Sequence, residues 1–94
     1  YASSFFANYK SQYVVVILDN LQTNVVNLSR AIMEYPQESF LYFRRGFNYY
    51  LLRNFTHAAD DFNSAIKFSQ DPNSRIVTLS NKYIVNCKEF STDN

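Results

Sequence analysis

The sequence predicts an all-α protein in which five helices form helix–turn–helix units and stack into a superhelical α-solenoid. The first observation behind this is a 34-residue offset, at which the Ala-Ile pair at 31–32 recurs at 65–66. Periods of this length are typical of stacked helical repeats. The second observation is an apolar stripe with helical spacing in the second half of the chain. The same offset relates further large apolar residues: Leu21 with Phe55, Leu28 with Phe62, and Tyr49 with Tyr83.

The predicted helices span residues 6–18, 22–35, 38–52, 55–69 and 73–89. The first contains the β-branched run "VVVIL", whose intrinsic propensity favours a strand. The 34-residue offset aligns this run with the third helix, so we interpret it as helical. Its partner, the second helix, is followed by Pro36, the closing proline of the first unit's pattern.

The fourth predicted helix has the most regular pattern. Its apolar residues fall on one stripe at helical spacing, and its opposite face is polar. The stripe is expected to pack inside the helical pair: Phe55, Ala58, Ala59, Phe62, Ala65 and Ile66. The polar face is expected to meet water: His57, Asp60, Asp61, Ser64 and Lys67.

Side chains that cap helices mark where the last two helices begin. Asn54 or Thr56 is expected to cap the fourth helix, and Asp71 followed by Pro72 resembles an N-cap before the fifth. The fifth helix carries a stripe that can pack on the fourth: Ile76, Ser80, Tyr83, Cys87 and Phe90.

The single glycine of the chain lies inside the third predicted helix, where it costs about 1 kcal/mol relative to alanine. Its neighbours in residues 39–72 form a pattern: Tyr42, Gly46, Tyr49, Ala58 and Phe62, followed by Ala65. This pattern resembles the tetratricopeptide repeat. The resemblance implies that the two helices of the unit cross closely, with Gly46 and Ala58 as the small residues that allow the approach.

The resemblance divides the chain, taken as one domain over residues 1–94, into two and a half units. These are a repeat at 5–38, a repeat at 39–72 and a half-repeat or capping helix at 73–90. The first unit departs from the pattern, since Gln12 and Asn24 stand where a glycine and an alanine are usual. Because the chain begins with Tyr1 rather than methionine, we expect it to be a fragment of a longer protein.

The resemblance also implies a binding surface, because the second face of the first helix in each unit lines the concave side of the superhelix. This face is aromatic here, and aromatic side chains suit binding anchors. The expected protein-binding residues are Phe6, Tyr9, Tyr13, Phe40, Phe43, Phe47 and Tyr50. The expected function is a protein-interaction module or scaffold that binds an apolar or amphipathic helical segment of a protein partner. The alternative is a structural or self-associating segment of a longer α-solenoid, whose aromatic face is filled by its own chain or by a second copy.

Composition excludes several other classes of function. The chain of 94 residues is 47% hydrophobic, which favours a packed core. A net charge of +1 with scattered cations gives no electrostatic basis for binding nucleic acid. The longest apolar run, residues 13–18, is too short to span a bilayer. One cysteine excludes an internal disulfide and favours a reducing, cytoplasmic setting.

The sequence contains no combination of residues that points to an enzyme. His57 is the single histidine, so no histidine pair can hold a metal ion. Cys87 lies on an apolar stripe and has no evident base, which favours a core position over a nucleophile. One glycine is too few for a phosphate-binding loop. We therefore expect no catalytic activity, no cofactor and no metal.

Overall fold

The computed structural model describes the backbone of residues 2–92 and the side chains of residues 16–91. Within these limits the fold is entirely helical, which confirms the predicted all-α class. The described part of the chain contains four helices and no strand: α1 (Ala2–Glu34), α2 (Ser39–Leu51), α3 (Phe55–Phe68) and α4 (Arg75–Thr92).

The number of helices differs from the five expected, because the two helices predicted at 6–18 and 22–35 are one continuous helix of 33 residues. The break was expected at residues 19–21, where the sequence is Asp-Asn-Leu. No proline or glycine occurs before Pro36, so every residue in this region can donate its backbone N–H and keep helical dihedrals. The β-branched run at 14–18 is helical, as the 34-residue offset indicated.

The C-terminal half of α1 packs antiparallel to α2. Asn24 Nδ2 donates a hydrogen bond to Asn48 Oδ1 at 3.1 Å, and Arg45 Nη1 donates one to Ser29 Oγ at 3.1 Å. Later residues of α1 therefore meet earlier residues of α2. When both helix axes are extended in this alignment, the first half of α1 lies beyond the C-terminal end of α2.

A tight turn joins α2 to α3. The N–H of Asn54 donates to Tyr49 O at 2.9 Å and that of Arg53 to Tyr50 O at 3.0 Å, which is the Schellman pattern at a helix end. Arg53 has φ of 64°, the left-handed conformation that this motif requires. Asn54 then caps α3, since its Oδ1 accepts the N–H of His57. The predicted cap at Asn54 is confirmed.

Gly46 lies at a close approach of α2 and α3. A Cβ added to it would lie 3.0 Å from Cβ of Asp61 and 3.2 Å from two ring atoms of Phe62. Ala58, Phe62 and Ala65 have no exposed surface, so the predicted stripe of α3 is the core of the fold. The glycine is thus a packing residue, as the sequence predicted.

The helix α4 covers the other side of α3 through the stripe that the sequence indicated. Ser80 and Cys87 are buried, and the ring of Tyr83 stacks on Phe62 with centroids 5.4 Å apart. The expected cap at Asp71 is wrong, because α4 begins at Arg75 and the Oγ of Ser74 accepts the N–H of Val77. Asp71 instead accepts the N–H of Asn73 in the preceding turn.

Asp61 is buried, contrary to the expectation that it faces water. Its side chain is 6% exposed and accepts two hydrogen bonds from Arg45, at 2.8 Å from Nε and 2.7 Å from Nη2. These bonds raise the pKa of the Arg45 guanidinium, because they favour its charged form. On the same face, Asp60 and Lys67 are exposed as predicted, whereas Ser64 is half-buried.

Two buried serines should respond differently to alanine substitution. Ser39 Oγ donates to Ala65 O at 2.6 Å, whereas Ser80 Oγ has no hydrogen-bond partner in the described part of the chain. Ser39→Ala should therefore lower the free energy of unfolding by about 1 kcal/mol, and Ser80→Ala should leave it unchanged or raise it slightly. Urea denaturation of the two variants beside the parent checks this. Equal losses in both would contradict the assigned bonding.

Candidate protein-binding site

The expected binding residues fall into three groups in the structure. The side chains of Phe6, Tyr9 and Tyr13 lie outside the described residues. Phe40, Phe43 and Phe47 line a groove of about 450 Å³ between α1 and α2. Tyr50 does not line this groove but stacks on Phe47 behind it, and it packs in an aromatic cluster against the rings of Phe55, Phe62, Tyr83 and Phe90.

The floor of the groove is held by the core behind it. The ring of Phe43 contacts that of Phe62 with centroids 5.7 Å apart, and the ring of Phe47 contacts that of Tyr83 at 5.6 Å. Both rings are half-buried, so they keep one side for the core and one for the groove. Because they are fixed from behind, little side-chain entropy remains to be lost when the groove is filled.

The rim of the groove is more exposed than its floor. Phe40 is 48% exposed and Leu51 is 47% exposed, and they lie near the two ends of α2. Between them the guanidinium of Arg44 lies 5.5 Å above the ring of Phe40, within the range of a cation–π contact. Arg44 makes no ion pair within the described residues, and no acidic side chain lines the groove.

An amide pair forms the wall of the groove on the side of α1. Asn24 donates to Asn48, and Asn48 donates in turn to the carbonyl oxygen of Arg44 at 2.7 Å. In the sequence Asn24 is only a departure from the repeat pattern, and nothing there connects it with Asn48. The pairing depends on the antiparallel contact of α1 with α2, and no periodicity along either helix signals it.

A second groove, of about 470 Å³, lies on the other side of the contact between α1 and α2. It is lined by Gln22, Val25, Val26, Tyr49, Leu52 and Asn54. Its exposed apolar residue is Val26, which is 50% exposed. This second groove has one aromatic ring, whereas the groove at α2 has three, so it offers fewer of the rigid anchors that dominate binding energy.

Cys87 belongs to the core, and His57 lies at the cap of α3. Cys87 is buried, and the burial raises the pKa of its thiol, which leaves it protonated and poorly nucleophilic at neutral pH. His57 is exposed, its ring contacts Tyr49, and its Nδ1 lies 2.9 Å from Asn54 Oδ1 at the helix cap. Among the described residues no cluster of three or more histidine, cysteine or acidic side chains could hold a metal ion.

None of the helices in the described part of the chain combines the length and apolarity needed to cross a membrane. Comparisons of the chain with models of protein families, with curated proteins and with solved structures gave no match.

Proposed function

We propose that this chain is a protein-interaction module that holds an amphipathic helix of a partner in the groove between α1 and α2. The observation that carries the proposal is the combination of three phenylalanines and one leucine around a groove of about 450 Å³. This volume is within the range of sites that bury apolar groups. Helix-in-groove recognition uses such a surface, with anchors spaced along one face of the bound helix.

The resemblance of residues 39–72 to the tetratricopeptide repeat supports the same function, since members of that family bind other proteins. On this reading α2 and α3 are one repeat and α4 begins the next, as in an α-solenoid. The lone cysteine suits a reducing cytoplasm. Binding would rest on apolar burial with one cation, Arg44, at the rim, so affinity should depend only weakly on salt.

The groove can be tested at its rim without disturbing the core. Phe40 and Leu51 are about half exposed, so the double variant Phe40→Glu, Leu51→Glu should fold normally. Amphipathic helical peptides selected from a display library against the parent chain supply the ligand, and calorimetry measures its affinity. We expect the double variant to lose affinity by more than about tenfold, because charge replaces buried apolar surface.

Met33→Glu is the matched control, because Met33 is 84% exposed and does not line the groove. It should bind the selected peptide like the parent. Thermal melts of all three chains establish that they are folded. A peptide that binds the double variant as tightly as the parent would place the binding surface elsewhere.

The alternative, a structural role in which the aromatic face is covered by another copy of the chain, is favoured by a different observation. Val16, Ile17 and Leu18 are all exposed although they follow one another on α1. This segment is a candidate occupant for the groove.

A further inference from the structure

The first half of α1 is an apolar arm without a neighbour at its described residues. Val16 is 56% exposed, Ile17 is 54% exposed and Leu18 is 39% exposed. Successive residues of a helix point about 100° apart, so these three cover more than half of its circumference. A helix with apolar residues on several sides is normally buried. The exposure of these three residues is therefore what is expected if the surface that covers them belongs to another molecule.

The arm and the groove helix carry the same pattern in the sequence. Residues 6, 9, 13, 16 and 17 are Phe, Tyr, Tyr, Val and Ile, and residues 40, 43, 47, 50 and 51 are Phe, Phe, Phe, Tyr and Leu. The two sets are related by the 34-residue offset, and each falls on one stripe of a helix. The arm therefore has the apolar stripe that a helix-binding groove requires of its ligand.

The arm does not reach the groove of its own chain while α1 stays continuous. The bonds of Asn24 to Asn48 and of Ser29 to Arg45 set α1 antiparallel to α2. Residues before 21 consequently run away from α2, past its C-terminal end at Leu51. Returning to the groove would require a break at residues 19–21, which are helical. A second copy of the chain can supply the arm without such a break.

The area available fits a weak, reversible dimer, and only if the exchange is reciprocal. Residues 2–18 form a rod about 25 Å long and α2 one about 20 Å long, with a contact band about 10 Å wide. Such a band is about 200 Å² on each helix, so one arm in one groove would bury roughly 400 Å² in total and two arms roughly 800 Å², which is the size of a weak, reversible interface.

We propose that the helix held in the groove is the arm, residues 2–18, of a second copy of this chain, so that two copies exchange arms in a twofold-symmetric dimer. The inference rests on the proposed function, since it names the ligand of that groove. An exchange of this kind is isologous: each copy offers one arm and one groove. The arm carries Lys10 and the groove Arg44, so opposite charges do not hold them together and higher salt should not weaken the dimer.

Sedimentation equilibrium of the full 94-residue chain over the micromolar range tests the proposal. The parent should be a dimer. An arm variant, Val16→Glu with Ile17→Glu, and a groove variant, Phe40→Glu with Leu51→Glu, should each raise the dissociation constant by more than about tenfold. All four residues are exposed in one copy, so the variants should keep the helical circular dichroism of the parent, although the loss of dimer lowers their melting temperature. Met33→Glu is again the control and should remain a dimer.

Mixing the two variants gives the decisive result. The arm variant keeps an intact groove and the groove variant keeps an intact arm, so a mixed pair keeps one intact contact of the two. The mixture should therefore associate more tightly than either variant alone and more weakly than the parent. A mixture whose dissociation constant is no lower than that of either variant alone would overturn the proposal. So would a parent dimer that both variants leave intact.

The same variants and the selected peptide distinguish a failure of the arm exchange from a failure of the proposed function on which it rests. If the parent is a monomer at all concentrations and the selected peptide still binds its groove, the exchange of arms is wrong and the groove remains a binding site for another protein. If the selected peptide binds the groove variant as tightly as the parent, the groove itself is wrong, whatever the oligomeric state.

Discussion

Gly46→Leu should lower the free energy of unfolding by roughly 3 kcal/mol, because the site has no room for a side chain. The first carbon alone would sit 3.0 Å from Cβ of Asp61 and 3.2 Å from the ring of Phe62. Neither neighbour can move cheaply. Cβ of Asp61 is fixed to the backbone of α3, and the ring of Phe62 is fully buried.

Gly46→Ala separates the steric effect from the effect on helix propensity. Alanine gains about 1 kcal/mol in a helix interior, but its methyl group meets the same atoms. We therefore expect a net loss of about 1 kcal/mol for alanine, well below that for leucine. Chemical denaturation of both variants measures the two values. A gain in stability for alanine would mean that α2 and α3 separate easily at this crossing.

Arg45→Met should be the second most damaging change, with a loss of about 3 kcal/mol. The methionine keeps most of the apolar stem but removes both hydrogen bonds to Asp61. The carboxylate, 6% exposed, would then be buried without a partner, which is far more costly than losing an ion pair at the surface. The contact of Arg45 with Ser29 of α1 would also be lost.

A double-mutant cycle with Asp61→Ala isolates the pair. Removing both charges should restore more than about 1 kcal/mol relative to the sum of the single losses, since no unpaired charge then remains. Asp60→Ala is the control, because Asp60 is the exposed neighbour on the same helix and should change stability by less than about 0.5 kcal/mol. Strict additivity of the Arg45 and Asp61 losses would show that the two groups do not interact.

The sequence predicted the buried residues between α2 and α3 well, because the patterns that indicate them lie within a single helix. The stripe of Ala58, Phe62 and Ala65 repeats at helical spacing and is buried. Gly46 was identified as a packing residue because glycine is unfavourable within a helix unless space requires it. Cys87 was placed in the core by its position on the stripe of α4.

The candidate site could be predicted only in part. Phe40, Phe43 and Phe47 do line one groove, whereas Tyr50 shares their stripe but turns to the core. A stripe defines a face of a helix, and the neighbours of that face decide which of its residues stay open. Asn24 and Asn48, which close the wall of the groove, belong to different helices and form no pattern along the chain.

The sequence by itself determined the helical class, the core face of α3 and α4, and the need for a small residue at position 46, since each is set by spacing along one helix. Only the tertiary structure decided the continuity of α1 and the burial of Asp61. The Asp-Asn-Leu segment at 19–21 can adopt a helix or a turn, so its conformation depends on whether folding back would gain contacts from distant residues. The carboxylate of Asp61 is polar in any local pattern, and it enters the core because Arg45, on another helix, neutralises it there.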